Sequence, residues 1–146
     1  MAKNDKLRQE VSAERENIVQ AFLFLEEAVE RSEKGIIELS AIGSFVHNIY
    51  NGIENIFKRI LKFGKITITD SPSSHKDLLD KVVATGIISQ ALSEELDEYR
   101  GFRHFFVHAY VFMLDEEQLL PLAQNLSSVW RRLDTEVTMW MANLSD

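Results

Sequence analysis

The stretch IGSFVHNIYNGIENIFKRIL, residues 42–61, decides how the whole chain is read. Its apolar residues Ile42, Phe45, Val46, Ile49, Ile53, Ile56, Phe57, Ile60 and Leu61 recur at steps of three and four. That spacing lines one face of an α-helix, whereas a half-buried strand alternates with a period of two. It predicts a long helix that starts after Gly35 and ends near Gly64, a glycine placed for a left-handed cap. Working outward, Leu7, Val11, Ile18, Phe22, Leu25 and Val29 form a similar stripe on the N-terminal side and predict a helix over residues 5–32. On the other side, residues 67–74 (TITDSPSS) break the period and read as the main loop. Ser74 with Asp77 resembles a capping box for a short helix through Leu78, Leu79, Val82 and Val83 that stops at Gly86. Ser89 or Ser93 then caps a segment over 92–99, and Gly101 marks a bend or break before residues 102–114. Asp115 and Gln118 are spaced as a second box, with Pro121 tolerable only near a helix start. The closing helix carries Leu122, Leu126, Val129, Leu133, Val137, Trp140 and Leu144. The reading is an all-α, up-and-down bundle of four to five helices in a single domain over residues 1–146.

Composition narrows the chemistry. The 146 residues include no cysteine, which removes disulfides, thiolate metal sites and cysteine nucleophiles. No apolar run exceeds the six residues 109–114, far short of the roughly 18 that span a bilayer. The first residues do not resemble a secretory signal, so the expected location is the cytoplasm, with no membrane partner. The net charge of −7 has the wrong sign for a protein that grips nucleic acid over its whole surface. Two stretches are nonetheless positive: residues 41–75, with Lys58, Arg59, Lys62 and Lys65, and residues 100–112, with Arg100, Arg103, His104 and His108 and no acid. A phosphate ligand is expected at one of these.

Glycine-rich phosphate loops, zinc-protease histidine pairs and serine elbows are absent from the sequence. His104 and His108 have the four-residue spacing of metal ligands, but residues 99–114 contain no carboxylate to join them. No metal and no cofactor are therefore expected. Arg103 and His108 suit a different chemistry. A guanidinium fork binds a phosphate and an imidazole moves a proton near neutral pH. Those suffice to cut RNA without metal, because the 2′-hydroxyl is a built-in nucleophile. The blander readings are that Arg103 pairs with an acid, that His108 is an ordinary half-buried histidine, and that Tyr110 is a core residue with a wet hydroxyl. His47 and His75 are expected to be solvated or structural, and the aromatic residues Phe22, Phe24, Phe45, Phe57, Trp130 and Trp140 to be core or dimer seam.

The run Gly101-Phe102-Arg103-His-Phe-Phe-Val-His108-Ala-Tyr110 resembles the Arg-x4-His-x-Tyr signature of the HEPN superfamily, in particular the HepT-type toxins of HEPN/MNT toxin–antitoxin pairs. The resemblance covers the chain and implies a homodimer whose two motifs line one cleft, with Arg103 and His108 as the ribonuclease pair. It also implies a toxin of a type II or type VII pair. Its partner would be an MNT-type nucleotidyltransferase antitoxin that transfers AMP from ATP to Tyr110, so that ATP belongs to the partner and not to this chain. His104 stands where the family usually has asparagine, and with Arg100 it is an auxiliary candidate for RNA contact. The RNA, tRNA or mRNA, is not written in the sequence. Two rival readings are a non-catalytic helical subunit that helps a nucleotidyltransferase bind its substrate, and a helical dimerisation module without a ligand. On a straight helix Arg103 and His108 lie about 140° apart and Arg103 and Tyr110 within about 20°. Either a bend near Gly101 brings the catalytic pair together or the arginine reaches across a dimer cleft.

Overall fold

The computed structural model describes residues 3–68 and 70–144, Val111 by its backbone alone. Thr69, within the expected loop, lies outside the described residues. The helices are α1 (Lys3–Glu30), α2 (Ile36–Phe63), α3 (Ser74–Ala84), α4 (Gln90–His108) and α5 (Glu116–Ala142), with a single 3₁₀ turn (Val111–Met113) between the last two. There is no strand among the described residues.

Side-chain pairs give the topology. Arg59 of α2 bonds Glu10 and Glu14 of α1, while Phe24 stacks on Phe45 further along, so α1 and α2 run antiparallel. They pack tightly at Gly52, where an added Cβ would lie 2.6 Å from Ile18. Arg103 of α4 reaches Asn51 and Phe106 packs at Gly43, which sets α4 antiparallel to α2. Glu136 accepts from Ser89 and Glu95 pairs with Arg132, which sets α5 antiparallel to α4. The bundle is thus four long helices running up and down, with short α3 tied to the side of α2. Most of the predicted stripes form its core: Ile42, Val46, Ile49, Ile53, Ile56, Phe57, Ile60 and Leu61 of α2 are buried, against Leu7, Val11, Ile18, Phe22 and Leu25 of α1, while Phe45 and Val29 are only partly buried at its edge. None of the helices is long and apolar enough to cross a membrane.

Several local expectations are corrected. The first helix stops at Glu30, two residues early. Gly64 has φ −79°, and Lys65 takes the left-handed conformation instead, at φ 59°. There the amides of Lys65 and Ile66 reach back to the carbonyls of Lys62 and Leu61. Gly86, at φ 78°, closes α3 with the same pair of bonds, from Gly86 to Val83 and Ile87 to Val82. Helix α3 starts one residue early, with Ser73 as its cap residue and its hydroxyl donating to Asp77. The largest correction is at Gly101. Helix α4 runs through it without a break, from the Ser89 cap to His108. Gly101 has open space where a side chain would be. A single exposed glycine costs a helix only about 1 kcal/mol relative to alanine, too little to end one whose earlier turns are held by buried Leu92, Leu96 and Tyr99. Tyr99 also donates to the carbonyl of Leu122 in α5 at 2.8 Å. At the head of α5, the Asp115 carboxylate accepts from the amide of Glu117.

Candidate functional site

The last turns of α4 carry Arg103, His104 and His108, and Gly43 seats them. Any side chain there would meet the Phe106 ring at 2.9 Å, so a glycine on α2 lets Phe106 pack close and fixes which face of α4 looks inward. Phe102 stacks on Phe106 and His47 lies 5.2 Å from that ring. Arg103, half-buried, follows from this placement: its Nε donates to Oδ1 of Asn51 at 3.4 Å. Nδ2 of Asn51 in turn meets Nε2 of His47 at 3.1 Å, one helical turn back on α2. The other ring nitrogen of His47, Nδ1, is buried without a partner among the described residues. Burial, and then the charge of Arg103, hold the pKa of His47 below the usual imidazole value, with Glu54 opposing them.

His104 and His108 are exposed on the outer side of α4, their ring centroids 4.6 Å apart. The histidines adjoin, as their spacing predicts, but no group of three or more His, Cys, Asp or Glu residues able to hold a metal exists among the described residues. Arg100 is engaged by Asp97 through its Nε at 2.6 Å. Because α4 is continuous, Arg103 and His108 remain about 140° apart around it, and no bend joins them within one chain. The expected alignment of Tyr110 with Arg103 does not arise either, because the helix ends at His108. Ala109 turns the backbone extended, at φ −96° and ψ 159°, and carries Tyr110 off the helix axis. Tyr110 is 69% exposed and stacks on Phe112 at 5.3 Å. Phe105, Val107, Phe112 and Met113, on the same segment, are also exposed.

Two residues of this arrangement, His47 and Asn51, were not singled out as functional by sequence reasoning. The available signal was the spacing of His47, Asn51, Glu54 and Asn55 at steps of three and four along the middle of α2. His75 is likewise not free in solvent: in the first turn of α3 its Nδ1 lies 2.9 Å from both carboxylate oxygens of buried Glu54.

An all-helical up-and-down bundle, with an arginine, two histidines and a tyrosine on a segment that carries no acid of its own, defines the class. A family model described as HepT-like protein matches residues 41–144. The chain belongs to that family and is a HepT-like protein of the HEPN type. No match is found among curated proteins or solved structures.

Proposed function

We propose that this HepT-like protein is the toxin of a toxin–antitoxin pair of type II or type VII, a cytoplasmic homodimer that cleaves RNA without a metal. The observation that carries the reading is a tethered arginine and two exposed imidazoles on the last turns of α4, a stretch that carries no acid of its own. Arg103 spends only its Nε on Asn51, leaving the two terminal nitrogens of the fork for a phosphate. In the reaction, the His108 imidazole takes the proton of a ribose 2′-hydroxyl as that oxygen attacks the adjacent phosphorus. The bond from phosphorus to the 5′ oxygen breaks, the imidazolium returns a proton to the leaving oxygen, and a 2′,3′-cyclic phosphate remains. Arg103 offsets the charge that builds on the phosphorane. His104 sits beside His108, placed for a phosphate contact, whereas Arg100 is already held by Asp97.

Dimerisation completes the site in this reading. The separation of Arg103 and His108 around α4 favours a cleft in which the arginine of one copy serves the histidine of the other, and two motifs double the local positive charge. Exposed Phe105, Val107, Phe112 and Met113 supply apolar surface for such a seam. Control follows from Tyr110. Its exposure suits attack by the phenol oxygen on the α-phosphorus of ATP, with pyrophosphate leaving, on an MNT-type nucleotidyltransferase antitoxin. The added AMP would occupy the cleft and offer Arg103 a competing phosphate.

The test is induced expression of wild type, His108→Ala and Tyr110→Phe, with and without an MNT-type nucleotidyltransferase from the same source. The expected result is arrest and metal-independent RNA cleavage by wild type and Tyr110→Phe but not by His108→Ala. Intact mass should show AMP on wild type and His108→Ala, but not on Tyr110→Phe, after co-expression. Equal arrest by His108→Ala overturns the ribonuclease reading, and an unmodified mass overturns control by AMP transfer.

A further inference from the structure

The chain Arg103–Asn51–His47 has a forced polarity. The Nε–H of an arginine can only donate, so the Asn51 atom facing it must be the carbonyl oxygen. That turns the amide NH₂ of Asn51 toward Nε2 of His47, which must then accept. An accepting Nε2 requires a neutral imidazole with its hydrogen on Nδ1, the buried nitrogen that has no partner. A second proton would have to go onto Nε2, where it meets the amide hydrogens of Asn51. Turning the amide over relieves that clash only by setting its NH₂ against the Nε–H of Arg103. The repulsion displaces the Asn51 side chain in the first case and removes the acceptor in the second, so protonation costs the arginine its tether.

We propose that His47 and Asn51 are positioning residues for Arg103, and that they hold its guanidinium in place only while His47 is neutral. This rests on the ribonuclease reading for its consequence in activity, but not for the tether itself. The surroundings of His47 agree with it. From α4 it faces the cation of Arg103 and the apolar ring of Phe106, and from its own helix the carboxylate of Glu54 acts on it. Burial and the adjacent cation outweigh that carboxylate and keep the ring in the form the chain requires. Nothing in this arrangement needs His47 to touch RNA. Its influence passes through one amide to the group that does.

The discriminating variant is His47→Gln. A glutamine one turn from Asn51 offers a carbonyl oxygen that accepts from the same amide and cannot be protonated. Cleavage by the chain of residues 1–146 is followed from pH 5 to 8, alongside the ¹⁵N–¹H signal of the Arg103 Nε–H, identified by its loss in Arg103→Lys. His47→Gln is expected to retain cleavage within about threefold at pH 8 and to stay more active than wild type as the pH falls. Asn51→Leu is expected to lose about tenfold at pH 8, a deficit that narrows as the pH falls and wild type loses the same tether. Any titration of His104 or His108 affects wild type and His47→Gln alike, so the difference between their profiles reports His47. In wild type the Arg103 signal should shift with the titration of His47, and in His47→Gln it should stay still. Coincident acid limbs, or an Arg103 signal indifferent to His47, overturn the proposal even if RNA is cleaved. A signal that follows His47 in a protein that cleaves nothing supports the tether and overturns the ribonuclease reading.

Discussion

Asn51 and Glu54 lie less than one turn apart on α2, and each holds a histidine, yet the two regions have opposite electrostatics. Asn51 connects His47 to a cation from α4. Glu54 is only 2% exposed and takes its hydrogen bond from His75 of α3. The difference lies in what an amide and a carboxylate can do. An amide passes a donor–acceptor direction along a chain and carries no charge, so the group at its end keeps a free charge for a ligand. A buried carboxylate demands a donor and spends the histidine on satisfying itself. Burial and the nearby Glu54 carboxylate also push the Tyr50 hydroxyl well above the ordinary phenol range. The Glu54 region therefore fastens α3 to α2, while the Asn51 region leaves the arginine fork available.

The contrast can be broken most severely from the Arg103 side. Arg103→Ala and His108→Ala should each lower RNA cleavage by about 10²–10⁴-fold, the range for a lost proton carrier or oxyanion donor, with little change in the urea midpoint. Arg103→Lys should recover only part of the loss, since an ammonium keeps the charge without the fork. A large drop in stability with either alanine would mean that this end of α4 is scaffold too.

His75→Ala should do the reverse. It leaves the Glu54 carboxylate buried without its donor, at a cost of about 2–3 kcal/mol, below the full range for broken buried pairs because the His75 side chain is 29% exposed. Cleavage at a temperature where the variant is folded should be unchanged. A loss under about 0.5 kcal/mol in urea unfolding would show that Glu54 does not depend on this histidine.

Two smaller effects sharpen the comparison. Gly101→Ala meets no neighbour and should stabilise by about 0.5–1 kcal/mol with cleavage retained, because α4 is already straight there. A stable but inactive Gly101→Ala would restore the need for a bend. The last effect is the dependence on pH of the His47 region. Because the folded pKa of His47 is lowered, the unfolded chain binds more protons between that value and about 6.5, so stability falls as the pH falls through that window. His47→Gln lacks that contribution, and its thermal midpoint should decline less than that of wild type on acidification below pH 6.5.

Much of the fold was legible because helix periodicity is a local property. Leu126, Val129, Leu133 and Val137 lie buried on one stripe of α5 as their spacing requires, and Ser89 and Asp115 cap where a hydroxyl and a carboxylate precede helical runs. The helix ends were less legible. Glycine was expected to take the left-handed turn after α2, but the turn falls one residue later, on Lys65. There the position is set by the register of the last buried residues, Ile60 and Leu61, and not by which residue would adopt it at least cost.

The Arg103, His108 and Tyr110 signature is a matter of spacing along one segment, and the sequence alone determined it, as it did the four amphipathic helices and the exclusion of thiol chemistry. Which face of α4 turns inward was decided only by tertiary structure. It depends on Gly43, 63 positions before Phe106, leaving room for that ring, and so on the packing of two helices across the bundle. The same packing sets Arg103 against an asparagine 52 residues away. Helix formation reads neighbours three and four apart, whereas a hydrogen bond between helices depends on how every intervening side chain packs.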